Sequence, residues 1–204
     1  KNYGDGFTTM YGANHEDIAY SYRTGNHGDG SWYSINGNID YQRTSRKNKQ
    51  RMITFSYKIN TQPQTSNSYN TYKDIYPEDE MEELVKRLLL RNYHSDGKTN
   101  TMEQTFQVDY TTPIGKLHTI EAGAKYIFRR NTSDNKLYEA SGGSEDYLYN
   151  EDRSSDYRHL NHILAAYLGY TLKYKDFTFK PGMRYEQTIQ RVKYIVGPGE
   201  NFHT

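Results

Sequence analysis

The chain has 204 residues, is 34% hydrophobic with a mean hydropathy of −1.06, and balances 26 Lys+Arg against 25 Asp+Glu. That balance removes the global steering towards nucleic acid that a basic domain has, and the absence of cysteine removes disulfides, thiolate metal sites and a Cys nucleophile. No apolar run approaches the roughly 20 residues of a transmembrane helix, which excludes a helical membrane protein but leaves a transmembrane β-barrel open.

Low hydrophobicity alone points to a very soluble or disordered chain. The 22 Tyr, 7 Phe and 1 Trp oppose disorder, because many of them recur with a period of two and need a surface to bury. The start, Lys1-Asn2-Tyr3-Gly4, has no signal-peptide features. A mature segment, or one from within a longer chain, is expected.

In chain order, Phe7, Thr9 and Tyr11 share one face of a short strand, and Ile18, Tyr20 and Tyr22 one face of another, joined through residues 12–17. Gly25-Asn-His-Gly-Asp-Gly30 is a turn by composition. Tyr33, Ile35, Gly37, Ile39 and Tyr41 then alternate with polar residues, and after the basic connection Arg43–Arg51 so do Ile53, Phe55, Tyr57 and Ile59. These two runs predict a hairpin.

Residues 61–100 read as a long polar connection holding one helix, over 78–91. Met81, Leu84, Val85, Leu88 and Leu89 fall at helical spacing, acidic residues crowd its start and Lys86, Arg87 and Arg91 its end. Pro77 suits a first turn.

The clearest hairpin spans 101–130. Met102, Gln104, Phe106, Val108 and Tyr110 share one parity, as do Ile120, Ala122, Ala124, Tyr126 and Phe128 in the second arm. The turn Thr112-Pro113-Ile114-Gly115 has Pro to fix φ and Gly free to take φ > 0. Residues 131–156 read as a second long, acidic loop. The last hairpin has arms 158–174 and 177–191 around Lys175-Asp176. Long loops thus alternate with short turns, as in an antiparallel up-and-down meander of about eight strands.

Alternation alone does not choose between a soluble sheet packed on a second sheet and a membrane barrel, which carries the same pattern inside out. Three features favour the barrel. The arms run about 11 to 15 residues, where soluble strands are usually 5–6 and tilted membrane strands need about 9–11. Tyr recurs towards the stripe ends, at the level of lipid headgroups. No Asp, Glu, Lys or Arg interrupts the apolar stripes, where each cation would cost about 2–4 kcal/mol at the midplane.

The stretch from Tyr93-His-Ser-Asp-Gly97 through Glu103-Gln-Thr-Phe-Gln-Val-Asp-Tyr-Thr-Thr-Pro-Ile-Gly115 to Glu121-Ala-Gly-Ala-Lys-Tyr-Ile-Phe-Arg-Arg-Asn-Thr-Ser-Asp134 resembles the barrel of TonB-dependent outer-membrane receptors of Gram-negative bacteria, in the branch called the outer membrane protein β-barrel family. His162–Tyr170 and Phe179–Glu186 continue the resemblance, which covers most of residues 30–195. It implies an all-β transmembrane barrel segment over 1–204 without the family's plug domain, taking part in uptake of a siderophore, glycan or peptide. Its implied partners are outer-membrane lipid, the rest of the barrel and plug, and an extracellular small-molecule, glycan or peptide ligand, with no nucleic acid. Loops 61–100 and 131–156 would face outside, and turns 43–50, 112–116 and 175–176 the periplasm. The alternative is a binding or adhesion module, a small closed barrel or soluble sheet with partner-binding loops.

No cofactor is implied, and no catalytic constellation is visible: there is no nucleophile elbow and no Gly-rich phosphate loop before a helix. His159 and His162 sit at i and i+3, on opposite faces of a strand, which argues against a shared metal. The acidic loop lacks the spacing of a preformed Ca²⁺ loop. The candidate ligand contacts are Tyr138, Tyr147 and Tyr149, against the plainer reading that they pack their own loop.

Overall fold

The alternation seen in the sequence becomes one antiparallel sheet in the computed structural model, which describes residues 1–14 and 16–204. The strands are β1 (Asn2–Tyr11), β2 (Ile18–Trp32), β3 (Ile35–Thr44), β4 (Met52–Tyr76), β5 (Arg91–Ile114), β6 (His118–Ser141), β7 (Leu148–Tyr174), β8 (Phe177–Phe179), β9 (Gly182–Val196) and β10 (Phe202–His203), with helix α1 (Met81–Leu88) between β4 and β5. The sheet order is β1-β2-β4-β5-β6-β7-β9-β10, while β3 pairs with β4 and β8 with β7. Since β2 and β3 lie end to end along β4, and β8 and β9 along β7, the ten segments trace eight strand paths of a meander. The sheet does not close on itself.

Both breaks fall beside proline, which cannot donate to a ladder. The β2–β3 break faces Pro63 of β4, whose carbonyl still accepts from the Tyr33 amide at 3.3 Å. The β8–β9 break contains Pro181, whose carbonyl accepts from Tyr170.

The central strands are much longer than their apolar stripes. β4, β5, β6 and β7 have 25, 24, 24 and 27 residues. The predicted connections 61–100 and 131–156 are therefore mostly strand: β4 pairs with β5 without a break from Met52↔Thr111 to Asn70↔Tyr93, and β6 carries on to Ser141. What remains between strands is residues 77–90, around α1, and 142–147. The glycine-rich segment 25–30 is not a turn either. It lies inside β2, paired with β4 along its whole length and with β1 over residues 25–28. His15, in the predicted connection 12–17, lies outside the described residues.

The hairpin at 101–130 forms in the predicted register, with Phe106 opposite Tyr126 and Val108 opposite Ala124. Gly115 takes φ +65° in its turn, a conformation that costs glycine nothing. Extended across strands, the pairing lines up Tyr41, Phe55, Val108, Ala124, Ala166 and Tyr185 in one row and Ile39, Tyr57, Phe106, Tyr126 and Leu164 in the next. No second layer covers them among the described residues. Phe106 is 47% exposed, Leu164 52% and Met183 72%. A soluble sandwich would bury such rows against another sheet, and the described residues supply no such sheet.

On the opposite face the side chains bond to one another. Arg129 Nε lies 2.5 Å from Glu103, Lys180 Nζ 3.0 Å from Glu121 and Arg184 2.6 Å from Glu186. The Tyr167 hydroxyl reaches Asp109 two strands away. Its ring lies over Gly123, where a Cβ would collide with it, so a glycine is needed there.

Among the described residues, the one cluster of buried hydrophobic residues sits at one end of the sheet, where Ile75, Leu84 and Leu90 pack with Tyr20, Tyr22, Tyr72, Met81, Val85 and Leu88. Helix α1 has eight residues, too few to be stable in isolation, and is held by Leu84 at 1% exposure. It starts at Met81, so Pro77 precedes it instead of entering its first turn. Glu82 and Glu83 lie in its first turn and Lys86 and Arg87 in its last, as the dipole favours. Among the described residues, no helix is long and apolar enough to cross a membrane.

Candidate functional site

The strands divide into a lower half with apolar rows and an upper half, towards α1, with polar residues on both faces. In a two-sided polar sheet little specifies register. Here a row of six rings crosses six strands. Tyr3, His27, Tyr69, His94, Tyr138 and Tyr149 are successive direct partners in the ladders. Neighbouring ring centroids lie 4.5, 6.0, 4.1, 5.7 and 5.6 Å apart, four of them within the roughly 4.5–7 Å at which aromatic pairs attract. The closest pair, Tyr69 and His94, is stacked at 7°. Carboxylates flank both imidazoles, with Asp96 2.8 Å from His94 Nε2 and Asp29 3.6 Å from His27 Nε2.

Two of the three candidate tyrosines belong to this row. Tyr138 and Tyr149 are partners across the mouth of the β6–β7 hairpin, and both are on strands where a loop was expected. Tyr147 is in the connecting turn. Burial first, then the Glu145 carboxylate and Tyr69, push its phenol above the ordinary value, so it sits near the same row. Parity places the row on the same face as Phe106 and Tyr126: His94 and Tyr138 keep their even positions along unbroken ladders. Tyr3, His27, Tyr69 and His94 carried no signal that could be read without the strand register.

Below the turn, β6 and β7 are clamped by Glu139. Its carboxylate, 9% exposed, meets Arg153, lies 3.5 Å from Arg91 and accepts from Asn150 Nδ2 at 2.7 Å. Burial opposes its ionisation, but the Asn150 amide and the two guanidiniums outweigh burial and hold it below the usual glutamate value.

The polar face of the upper half carries hydroxyls and amides, among them Gln64, Ser66, Ser68 and Asn70 on β4 and Asn131, Ser133 and Asn135 on β6. Some bond across strands, as Ser95 to Asn135 at 2.8 Å and Asn70 to Asn26 at 2.7 Å. Asn70 Oδ1, Asn131 Oδ1, His159 Nε2 and Asn161 Oδ1 are buried without a partner among the described residues. Asn131 and His159 are direct cross-strand partners, so this face keeps a local surplus of hydrogen-bonding groups, which calls for explanation.

His159 and His162 do point to opposite faces. His159 faces Asn131, and His162 Nδ1 lies 2.7 Å from the Tyr126 hydroxyl among the apolar rows. Among the described residues no three His, Asp or Glu side chains converge as a metal site.

Residues 42–202 match the sequence profile of the outer membrane protein beta-barrel family. No curated protein matches. Among solved structures, the chain is similar to a crystal structure of the ferric citrate transporter FecA in its unliganded form, at 15% identity and a TM-score of 0.35. That match covers 86% of this chain and 31% of the other, so the chain spans about a third of that protein's length.

Proposed function

This chain belongs to the outer membrane protein beta-barrel family and resides in the outer membrane, and on that premise we propose that it is a wall segment of a receptor barrel that imports a nutrient such as a siderophore, glycan or peptide. The observation that carries the reading is the two-sidedness of the sheet. Exposed apolar rows suit a lipid-facing exterior, and the opposite face, with both charge signs and buried polar groups lacking partners, suits a wet passage.

In this reading the α1 lobe and the 142–147 turn lie outside the cell, and the turns at 45–51, 115–117 and 175–176 lie in the periplasm. Short periplasmic turns are the rule for such barrels. A polar ligand passing through exchanges water for the amides and imidazole of Asn131, His159 and Asn161. Tyr138, Tyr147 and Tyr149 contact ligands or partners approaching the outer rim from outside the barrel. Energy comes from the inner membrane through TonB and a plug. The chain's part is passage and recognition and not catalysis.

The test is uptake by cells expressing the complete barrel with Asn131→Leu, His159→Leu and Asn161→Leu together. Labelled ferric siderophores, oligosaccharides and oligopeptides are offered in turn. One class should enter wild-type cells and enter the variant several-fold more slowly at equal surface expression. Equal uptake of every class by wild-type cells and cells lacking the protein sinks the import reading.

A further inference from the structure

Charge is distributed unevenly between the two faces of the upper half. Charged residues make up 25% of the chain. Yet four successive rows of the polar face, from the row through Thr101 and Asn131 to the row through Ser95 and Leu137, hold no Asp, Glu, Lys or Arg among the described residues. The opposite face carries Asp29, Asp96, Lys98, Asp134, Lys136 and Asp156 at the same height. Below the uncharged band Glu103 neutralises Arg129, and above it Glu139 meets Arg91 and Arg153. Rows on one face are two residues apart, so the band is about 20 Å tall at roughly 3.3 Å per residue.

The second row of the band runs Trp32, Gln64, Thr99, Ser133, Tyr157 and Tyr194. Trp32 is 75% exposed, and the Tyr157 ring lies 5.5 Å from that of Tyr194. Rings thus stand at both ends of the row, four strand spacings or about 19 Å apart, with short uncharged side chains between them. The margins of the band hold acceptors without donors. Asn131 Oδ1 in its lowest row, Asn161 Oδ1 just below and Asn70 Oδ1 just above are buried and unpartnered, as is His159 Nε2 beside Asn131. An amide oxygen only accepts, so these groups call for a ligand rich in hydroxyl donors. An anionic chelate would select Arg or Lys on the wall, because charge-assisted bonds are about twice as strong as neutral ones. A peptide would ask for a partner at each charged terminus. A sugar ring needs neither: its hydroxyls bond to amides, and its C–H faces lie against amphipathic Trp and Tyr rings.

We propose that the uncharged band recognises a neutral oligosaccharide, which lies across the strands from Trp32 to Tyr157 with hydroxyls on Asn131, His159 and Asn161. The inference rests on the import reading, which places the polar face inside the barrel, and it narrows the three ligand classes of that reading to one.

The test is isothermal titration of the complete purified protein with a pool of neutral hexasaccharides of glucose, xylose and mannose, and separately with oligogalacturonate hexamers, ferric citrate and a pool of hexapeptides. The neutral pool should bind more tightly than every charged class. W32A/Y157A should bind the neutral pool about tenfold more weakly than wild type, as the loss of two ring contacts implies. W32F/Y157F, which keeps a ring at both positions, should recover most of that loss, and heat-modifiable gel mobility checks that each variant is folded. Absence of neutral-pool binding to wild type overturns the assignment. So does tighter binding of any charged class, or equal binding of the neutral pool by wild type and folded W32A/Y157A. Uptake of the same pools by cells is scored separately. Binding by the purified protein without uptake keeps the recognition band and sinks the import reading, so the two failures are distinguishable.

Discussion

The lower and upper halves of the same strands solve the register problem by different means. In the lower half, slipping by one residue would turn Phe55, Phe106, Tyr126 and Leu164 from lipid into the wet interior, so the apolar face enforces the pairing. In the upper half both faces are polar and a slip exposes nothing apolar. There the pairing is held by specific features: the Tyr3-His27-Tyr69-His94-Tyr138-Tyr149 row, the Glu139 clamp and the α1 lobe at the end. One continuous strand can thus be positioned by solvent along half its length and by side-chain contacts along the rest.

The largest expected effect is in the lobe. Leu84→Ala should cost about 2–5 kcal/mol, and the loss should be local. Hydrogen exchange should lose protection over 72–92 while 53–59 and 104–110 stay protected; uniform loss would show that the halves are not separable. In the lower half, Phe106→Arg should cost about 2–4 kcal/mol in lipid. Asn67→Arg, on the same face in the upper half, should shift stability by less than about 0.5 kcal/mol. Urea unfolding of the complete barrel in vesicles compares the two, and equal costs would erase the boundary.

Glu139→Gln should loosen the β6–β7 hairpin by about 1.5–3 kcal/mol, the range for hydrogen bonds to charged groups. Because the folded value of Glu139 is depressed, its contribution is present above the unfolded glutamate value and is lost as pH falls through the folded one. Wild-type protection at 137–153 should therefore drop in acid below about pH 4, and the Gln variant should lack that step. A variant with the same acid step would place the titration elsewhere. The smallest effect is in the ring row. A double-mutant cycle on Tyr69→Ala and His94→Ala should give a coupling of about 0.5–1.5 kcal/mol, read by protection at 66–70 and 93–97. Zero coupling would remove the row from the account of register.

The same contrast explains what the sequence revealed. Lower-half strands were legible because Ile53, Phe55, Tyr57 and Ile59 alternate with Thr54, Ser56 and Lys58. The hairpin at 101–130, its Gly115 turn and the Leu84 helix were legible for similar reasons of period and spacing. The upper half was not. Gln62, Gln64, Ser66 and Ser68 alternate with Thr61, Pro63, Thr65 and Asn67, so hydropathy shows no period although every one is in the ladder. Glycines at 25, 28 and 30 lend the composition of a turn to residues whose strand pairing is a tertiary fact. Tyr138 and Tyr149 could be singled out as aromatic residues in a polar stretch, but their partnership with Tyr69 and His94 depends on three registers at once. The residues of the uncharged band are scattered over β2, β4, β5, β6 and β7 and meet only in the folded sheet.

The most direct test of where lipid ends is a spin-label scan along β5, and no native cysteine of these 204 residues competes for the label. Single cysteines at Tyr110, Val108, Phe106, Gln104, Met102, Asn100, Lys98, Asp96 and His94 in the complete barrel are labelled and placed in bilayers. Their accessibilities to oxygen and to a polar nickel chelate are then compared. High oxygen access from Tyr110 to Gln104, crossing over near Asn100 to nickel access at Lys98 and Asp96, is the predicted result. Low access to both at Val108 and Phe106, or nickel access throughout, would mean that the apolar face meets protein or water instead of lipid.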